Sequence, residues 1–205
     1  MSEITAALVQ KLRNMTGAGI MDAKKILTKT KGDIAKAVEE LRKSGQAKAL
    51  KKQDRAVSEG LIDAYIHGTG KVGAMVQVKC ETDFVARNEE FKALAHDIAL
   101  QVTAMNPQYV SPKDIPQEVI DKEKEIYRAQ LKAQKKPEKA IEKIVEGKLQ
   151  KYFSEVCLLK QKFFKNDTVT IEDLITEKIA KLGENIQLAG FTRVELDGSR
   201  TCNSK

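Results

Sequence analysis

The sequence predicts an α+β protein: an N-terminal three-helix module, then a core of helices packed on a small antiparallel sheet. Three observations predict it. Most apolar residues recur at i, i+3, i+4 and i+7, the helical period. One stretch, Val72 to Cys80, alternates with period 2, the mark of a half-buried strand. A second strand-like run closes the chain far downstream, so strands and helices do not alternate as in a parallel α/β sheet.

The first segment reads as three short helices. Leu8, Val9 and Leu12 form one apolar stripe, and Gly17 and Gly19 interrupt it as a helix–helix turn does. Ile20, Ala23, Ile26 and Leu27 form the second helix. Lys31-Gly32-Asp33 supplies a stop and then an N-cap. Ile34, Ala37, Val38 and Leu41 form the third, which Ser44-Gly45 is expected to end. The module therefore takes residues 1–45, residues 46–56 make a charged linker, and residues 57–205 make the core.

The core begins with a hairpin. Val72, Ala74, Val76, Val78 and Cys80 share one face, the run from Glu59 to Ile66 is their partner, and Gly68-Thr69-Gly70-Lys71 is the loop. Phe91, Leu94, Ala95, Ile98, Val102 and Met105 form a helical stripe that Asn106-Pro107 stops. Ile115-Pro116 opens another helix, through Val119, Tyr127 and Leu131. Lys135-Lys136-Pro137 breaks it, and Pro137 suits a first helical position. Ile141, Ile144, Val145, Leu149, Tyr152 and Val156 continue with helical period, with Gly147 able to split the run. Ile171, Leu174, Ile175 and Ile179 mark a last helix ended by Gly183. The closing strand, Ile186 to Leu196, places Ile186, Leu188, Val194 and Leu196 on one face and makes the third strand of the sheet.

Composition narrows the function. Hydrophobic residues make up 41% of the 205, enough for a core. No stretch approaches the roughly 18 consecutive apolar residues of a membrane span. Met1-Ser2-Glu3-Ile4 opens without a basic and then apolar run, so a cytoplasmic location is expected. Cys80, Cys157 and Cys202 are far apart and form no CxxC pair, which points to reduced thiols, two of them buried. Cys202 lies in a polar tail, where oxidation could cross-link a dimer. The net charge of +7 is concentrated: residues 1–55 hold 13 Lys and Arg against 6 Asp and Glu, and the rest holds 23 of each. A basic module admits a nucleic-acid target, an acidic protein partner or a merely solvated face. It contains no Phe, Tyr or Trp on which single-stranded bases stack.

Catalytic motifs are mostly missing. Gly68 to Gly73 matches GxGxxG, but a dinucleotide site needs a helix after the glycine turn and here a strand follows. There is no P-loop. His67 and His96 are the only histidines and lack HExxH spacing, so neither a catalytic site nor a metal or cofactor is expected. One segment stands out: Cys80-Glu81-Thr82-Asp83-Phe84-Val85-Ala86-Arg87-Asn88 joins the second hairpin strand to a helix. Phe84 belongs to neither apolar stripe. It either staples this connection onto the core or stands outward as an aromatic anchor of the kind that dominates interfaces.

These residues carry a resemblance. Thr82-Asp83-Phe84-Val85 resembles the signature loop of the elongation factor Ts family, and Leu12-Arg13 with Thr16-Gly17-Ala18-Gly19-Ile20-Met21-Asp22-Ala23-Lys24-Lys25 resembles its N-terminal motif. His96-Asp97-Ile98-Ala99, Gly147-Lys148-Leu149 and Gly183-Glu184-Asn185-Ile186 match further motifs in order along the chain. The resemblance implies a ubiquitin-associated-like module and a guanine-nucleotide exchange factor for elongation factor Tu in its GDP-bound form. Thr82, Asp83, Phe84 and Val85 would form the loop that dislodges magnesium, with Phe84 wedged between two partner helices. Leu12, Ile20, Met21 and Lys24 would grip the same GTP-binding domain. Neither an enzyme activity nor direct nucleic-acid or membrane binding is implied. Longer members carry a second core half, so a short chain implies a homodimer that pairs sheets. Lys162 and Gly190 depart from the family's frequent proline and arginine.

Overall fold

The computed structural model describes residues 4–134 and 136–204. Met1 to Glu3, part of the opening read as having no leader, and Lys135, in the expected break, lie outside the described residues. The chain divides into two compact units. The first takes Met1–Gly60, Lys79–Phe91 and Asp173–Gln187; the second takes Leu61–Val78, Lys92–Glu172 and Leu188–Lys205.

In the first unit, α1 (Ala6–Thr16), α2 (Ile20–Lys29) and α3 (Ile34–Leu50) form the expected three-helix group. Two of the three starts are capped by a side chain. The Thr5 hydroxyl accepts from the Leu8 amide at 3.3 Å, and the Asp33 carboxylate accepts from the Lys36 amide at 3.0 Å. Gly17 ends α1 in the left-handed region (φ 66°), its N–H bonded to the Arg13 carbonyl at 2.7 Å. Leu12, Ala23, Leu27 and Ala37 are buried together, with Leu8, Ile26, Ile34 and Leu41 packed on them. The third helix does not stop at Ser44-Gly45. It runs on to Leu50, with Gly45 in contact distance of the Ala180 methyl (an added Cβ would sit 3.4 Å from it) and outside the left-handed region that ends helices.

The sheet has four strands among the described residues, not three: β1 (Glu59–His67), β2 (Val72–Cys80), β5 (Ile186–Glu195) and β6 (Arg200–Ser204), in the order β1-β2-β5-β6. Between β2 and β5 the chain forms α4 (Asp83–Ala86), α5 (Glu89–Met105), α6 (Gln117–Ala133), α7 (Glu138–Val156), a ribbon of β3 (Lys162–Phe163) with β4 (Asn166–Thr170), and α8 (Ile171–Leu182). β6 is short and polar, so no apolar alternation announces it. It pairs antiparallel with β5 from Gly190↔Ser204 to Val194↔Arg200. Lys162, one departure from the family pattern, is exposed in β3 opposite Thr170. Gly190, the other, is buried where the inward phase of β5 slips by one residue. Ile186 and Leu188 face inward before it, and Phe191 and Arg193 after it. Val194 (52% exposed) and Leu196 (75%) therefore leave the face expected for them.

The second unit buries Ala74, Val76 and Val78 of β2 and Leu94, Ala95, Ile98, Ala99 and Val102 of α5. The helices α6 and α7 pair through Leu131, Ile141 and Val145, flanked by the bidentate Arg128–Glu142 ion pair. Gly147 does not split α7. Among the described residues, no helix is long and apolar enough to cross a membrane.

Candidate functional site

The connection between β2 and α5 is a corner with a helix of a single turn. Thr82 is extended and caps α4, its hydroxyl oxygen 3.5 Å from the Val85 amide. Asp83 pairs with Arg87 one turn on, at 3.0 Å. Upstream, Cys80 is buried and its thiol donates to the Thr82 carbonyl at 3.1 Å. Burial, reinforced by the charge of Glu184, pushes this thiol up to about 11.

Phe84 is 81% exposed at the crest of this turn, while Thr82, Asp83 and Val85 are half-buried. The ring does not staple the connection onto a core. Its backbone is nevertheless tightly held. One carboxylate, Glu184, accepts from the Thr82 amide at 3.0 Å and from its hydroxyl at 2.6 Å. Glu81 accepts in return from the Asn185 amide at 2.6 Å. The Asn185 side chain donates to the carbonyls of Gln53 (3.1 Å) and Arg55 (2.8 Å), and Lys52 donates to the Gly183 carbonyl.

Downstream, Glu90 in the first turn of α5 pairs with Lys181 at 2.6 Å and Lys178 at 3.2 Å. The hydrogen bond from Lys181 is the main reason its carboxyl lies below the usual range. The Lys181 stem passes 3.1 Å from where a Cβ on Gly17 would stand, so the α1–α2 turn approaches it closely. That turn leads to Ile20 (57% exposed) and Met21 (77% exposed), with Lys24 exposed one turn on. Leu12 is different: it is fully buried in the module core and cannot touch anything outside without unfolding it. The structure thus separates the four residues expected to grip a partner into three outward side chains and one that packs.

Several cations of this quarter are paired: three of the pairs lie within it and leave its surplus unchanged, while Arg42 pairs with an acid outside it. Lys29, Lys43 and Lys48 pair with Glu40, Glu39 and Asp22, and Arg42 with Asp173. Among the described residues, no three His, Cys, Asp or Glu side chains converge as a metal site. Sequence reasoning did not single out Glu81, Glu184 or Asn185 as holders of the corner. Thr82 and Glu184 are separated by 102 positions, so no local spacing signals their contact.

By architecture this is an α+β protein whose N-terminal helical module leads into a sheet core, with the most exposed large apolar side chain among the described residues on a tied corner. Comparison with known proteins makes the assignment specific. The family model described as elongation factor TS matches residues 1–197. A protein named elongation factor Ts from Thermotoga petrophila is 57% identical over 194 residues, covering 95% of this chain and 96% of its own length. Those of Thermotoga neapolitana and Carboxydothermus hydrogenoformans are 56% and 54% identical over 194 and 193 residues, covering 95% and 94% of this chain and 98% and 89% of their own lengths. The chain belongs to the elongation factor Ts family.

Proposed function

We propose that this chain is a guanine-nucleotide exchange factor that docks on elongation factor Tu and promotes loss of GDP. The observation that carries the reading is Phe84: a large aromatic, outward on a corner whose Thr82 amide is held by Glu184 and whose Glu81 carboxylate holds the Asn185 amide. An exposed ring is unfavourable in water and gains most when a partner pocket receives it. A short, tied corner delivers it with little ordering to be done at docking. Ile20 and Met21, with Lys24 beside them, form a second contact on the same GTP-binding domain.

The proposed action is mechanical. Phe84 wedges between partner helices, and Asp83 with Arg87 keeps the turn wound as it does so. Magnesium needs near-ideal octahedral geometry while bridging nucleotide phosphates, so a small displacement of its ligands weakens the nucleotide strongly. Coupling is reciprocal: a factor that weakens GDP is weakened by GDP to the same degree, and entering nucleotide expels it. No bond is made or broken, so the factor needs no catalytic group or cofactor. Translation is a cytoplasmic process, which assigns the location.

We further propose that two copies associate through the outer face of the sheet. Ile62, Ile66, Met75 and Val194 are exposed there, an apolar surface of the kind that marks an interface. Release of fluorescent GDP from the partner, measured with and without this protein, tests the exchange reading. An unchanged rate at saturating factor would defeat it.

A further inference from the structure

We infer that Glu184 is a positioning residue for the Phe84 corner, and that the reciprocal bonds Thr82 to Glu184 and Asn185 to Glu81, with the Asn185 side chain on Gln53 and Arg55, tie this corner to the linker after the helical module. The inference rests on the exchange reading above. A helix of four residues has too few internal bonds to hold its own orientation, so α4 must be held from outside. The side chain of Phe84 cannot do this, because it is turned to solvent. Glu184 does. Its two oxygens take the Thr82 amide (3.0 Å) and hydroxyl (2.6 Å), an arrangement available to a carboxylate and not to a shorter neutral acceptor. With its proton committed to Glu184, the Thr82 hydroxyl turns a lone pair toward the Val85 amide and completes the cap.

The tie runs both ways. Glu81 precedes the held amide of Thr82 and itself holds the amide of Asn185; Glu184 precedes that amide and holds Thr82. Each strand end supplies the acceptor for the other. Asn185 then reaches the carbonyls of Gln53 and Arg55, and Lys52 reaches Gly183. Residues 52–55 follow α3 directly. A displacement of the linker is therefore felt at the turn of Gly183 to Asn185, and through Glu184 at Thr82. Glu184 acts on Phe84 only through this backbone. Its loss leaves the ring present but loosely aimed, so within the docked complex the corner must be ordered before the ring can act.

The chain has no tryptophan, so Phe84→Trp installs a single reporter on the corner. In that background and without the partner, Glu184→Ala and Thr82→Val are expected to lower the fluorescence anisotropy of residue 84 and raise its quenching by acrylamide. Glu184→Gln, which keeps an acceptor for the amide, is expected to stay near the parent. In the chain with Phe84, Glu184→Ala should lower the maximal GDP release rate about tenfold, the scale of a lost charge-assisted hydrogen bond. The concentration giving half the maximal rate should move much less, and Glu184→Gln should recover most of the rate. A structural defect alone would not divide in this way. Unchanged order of residue 84 in both Glu184→Ala and Thr82→Val overturns the inference, as does full-speed release by Glu184→Ala. If Glu184→Ala does not fold, Thr82→Val decides. If Phe84→Ala exchanges at normal speed, the exchange reading falls, and the tryptophan measurements still decide the positioning role.

Discussion

Phe84→Ala removes the one side chain that the exchange reading cannot do without, and its effect can be estimated from exposure. A phenylalanine offers about 200 Å² of surface when fully buried. With 81% of it exposed, about 160 Å² is left for a partner to cover. At about 25 cal/mol per Å² this is about 4 kcal/mol, an upper value for the ring's part in the complex that releases GDP. At 1.36 kcal/mol per decade, 4 kcal/mol is about 800-fold in rate. Incomplete burial and ordering reduce it, and aromatic anchors in interfaces are commonly worth at least about 2 kcal/mol, or about 30-fold. Accelerated release should therefore fall by about 30-fold to 800-fold, as read by stopped-flow of a fluorescent GDP at saturating factor. Stability should stay within about 0.5 kcal/mol of wild type, because the exposed ring supports little of the fold. Release within threefold of wild type by a folded variant would refute the reasoning.

Met21→Asp should weaken partner affinity about tenfold with the melting temperature unchanged, since its side chain is exposed and meets water before docking. Leu12→Ala should do the reverse, destabilising the helical module by about 2–5 kcal/mol through a core cavity, as chemical denaturation will show. Thiol chemistry should separate the cysteines. Burial raises Cys80 to about 11 and Cys157 to about 12 from an ordinary 9.0, so at pH 8 iodoacetamide should label Cys202 alone in the folded protein. The same shifts set an alkaline limit. Between pH 9 and 12 the unfolded thiols ionise while the folded ones keep their protons, so their contribution to stability is complete below pH 9 and lost as pH rises through that window. A melting temperature that rises from pH 9 to 11 would contradict this. Ile66→Glu, placing charge on the outer sheet face, should turn a dimer into a monomer in sedimentation equilibrium; a monomeric parent protein would end the dimer proposal.

Elements with a strong local signal were legible in the sequence. Asp33 as a cap, Gly17 and Gly183 as terminators and the alternation of Val72 to Cys80 all act within a few residues of themselves. The corner motif Thr82 to Val85 was legible as a resemblance and as an aromatic out of phase with its neighbours. Its outward aim was implied by the resemblance alone; the residue pattern left it open, because exposure depends on what packs around it. β6 was missed for a related reason: a polar five-residue strand is defined by the backbone bonds of its neighbour β5.

By itself the sequence determined the α+β class, the helical module, the hairpin and membership of the family, since periodicity, caps and motif order are properties of adjacent residues. Only the tertiary structure decided that Leu12 packs while Ile20 and Met21 face out, that α3 continues past Gly45, and that Glu184 holds Thr82 across 102 positions. Those outcomes rest on close approaches between distant segments, whose energies no local pattern encodes.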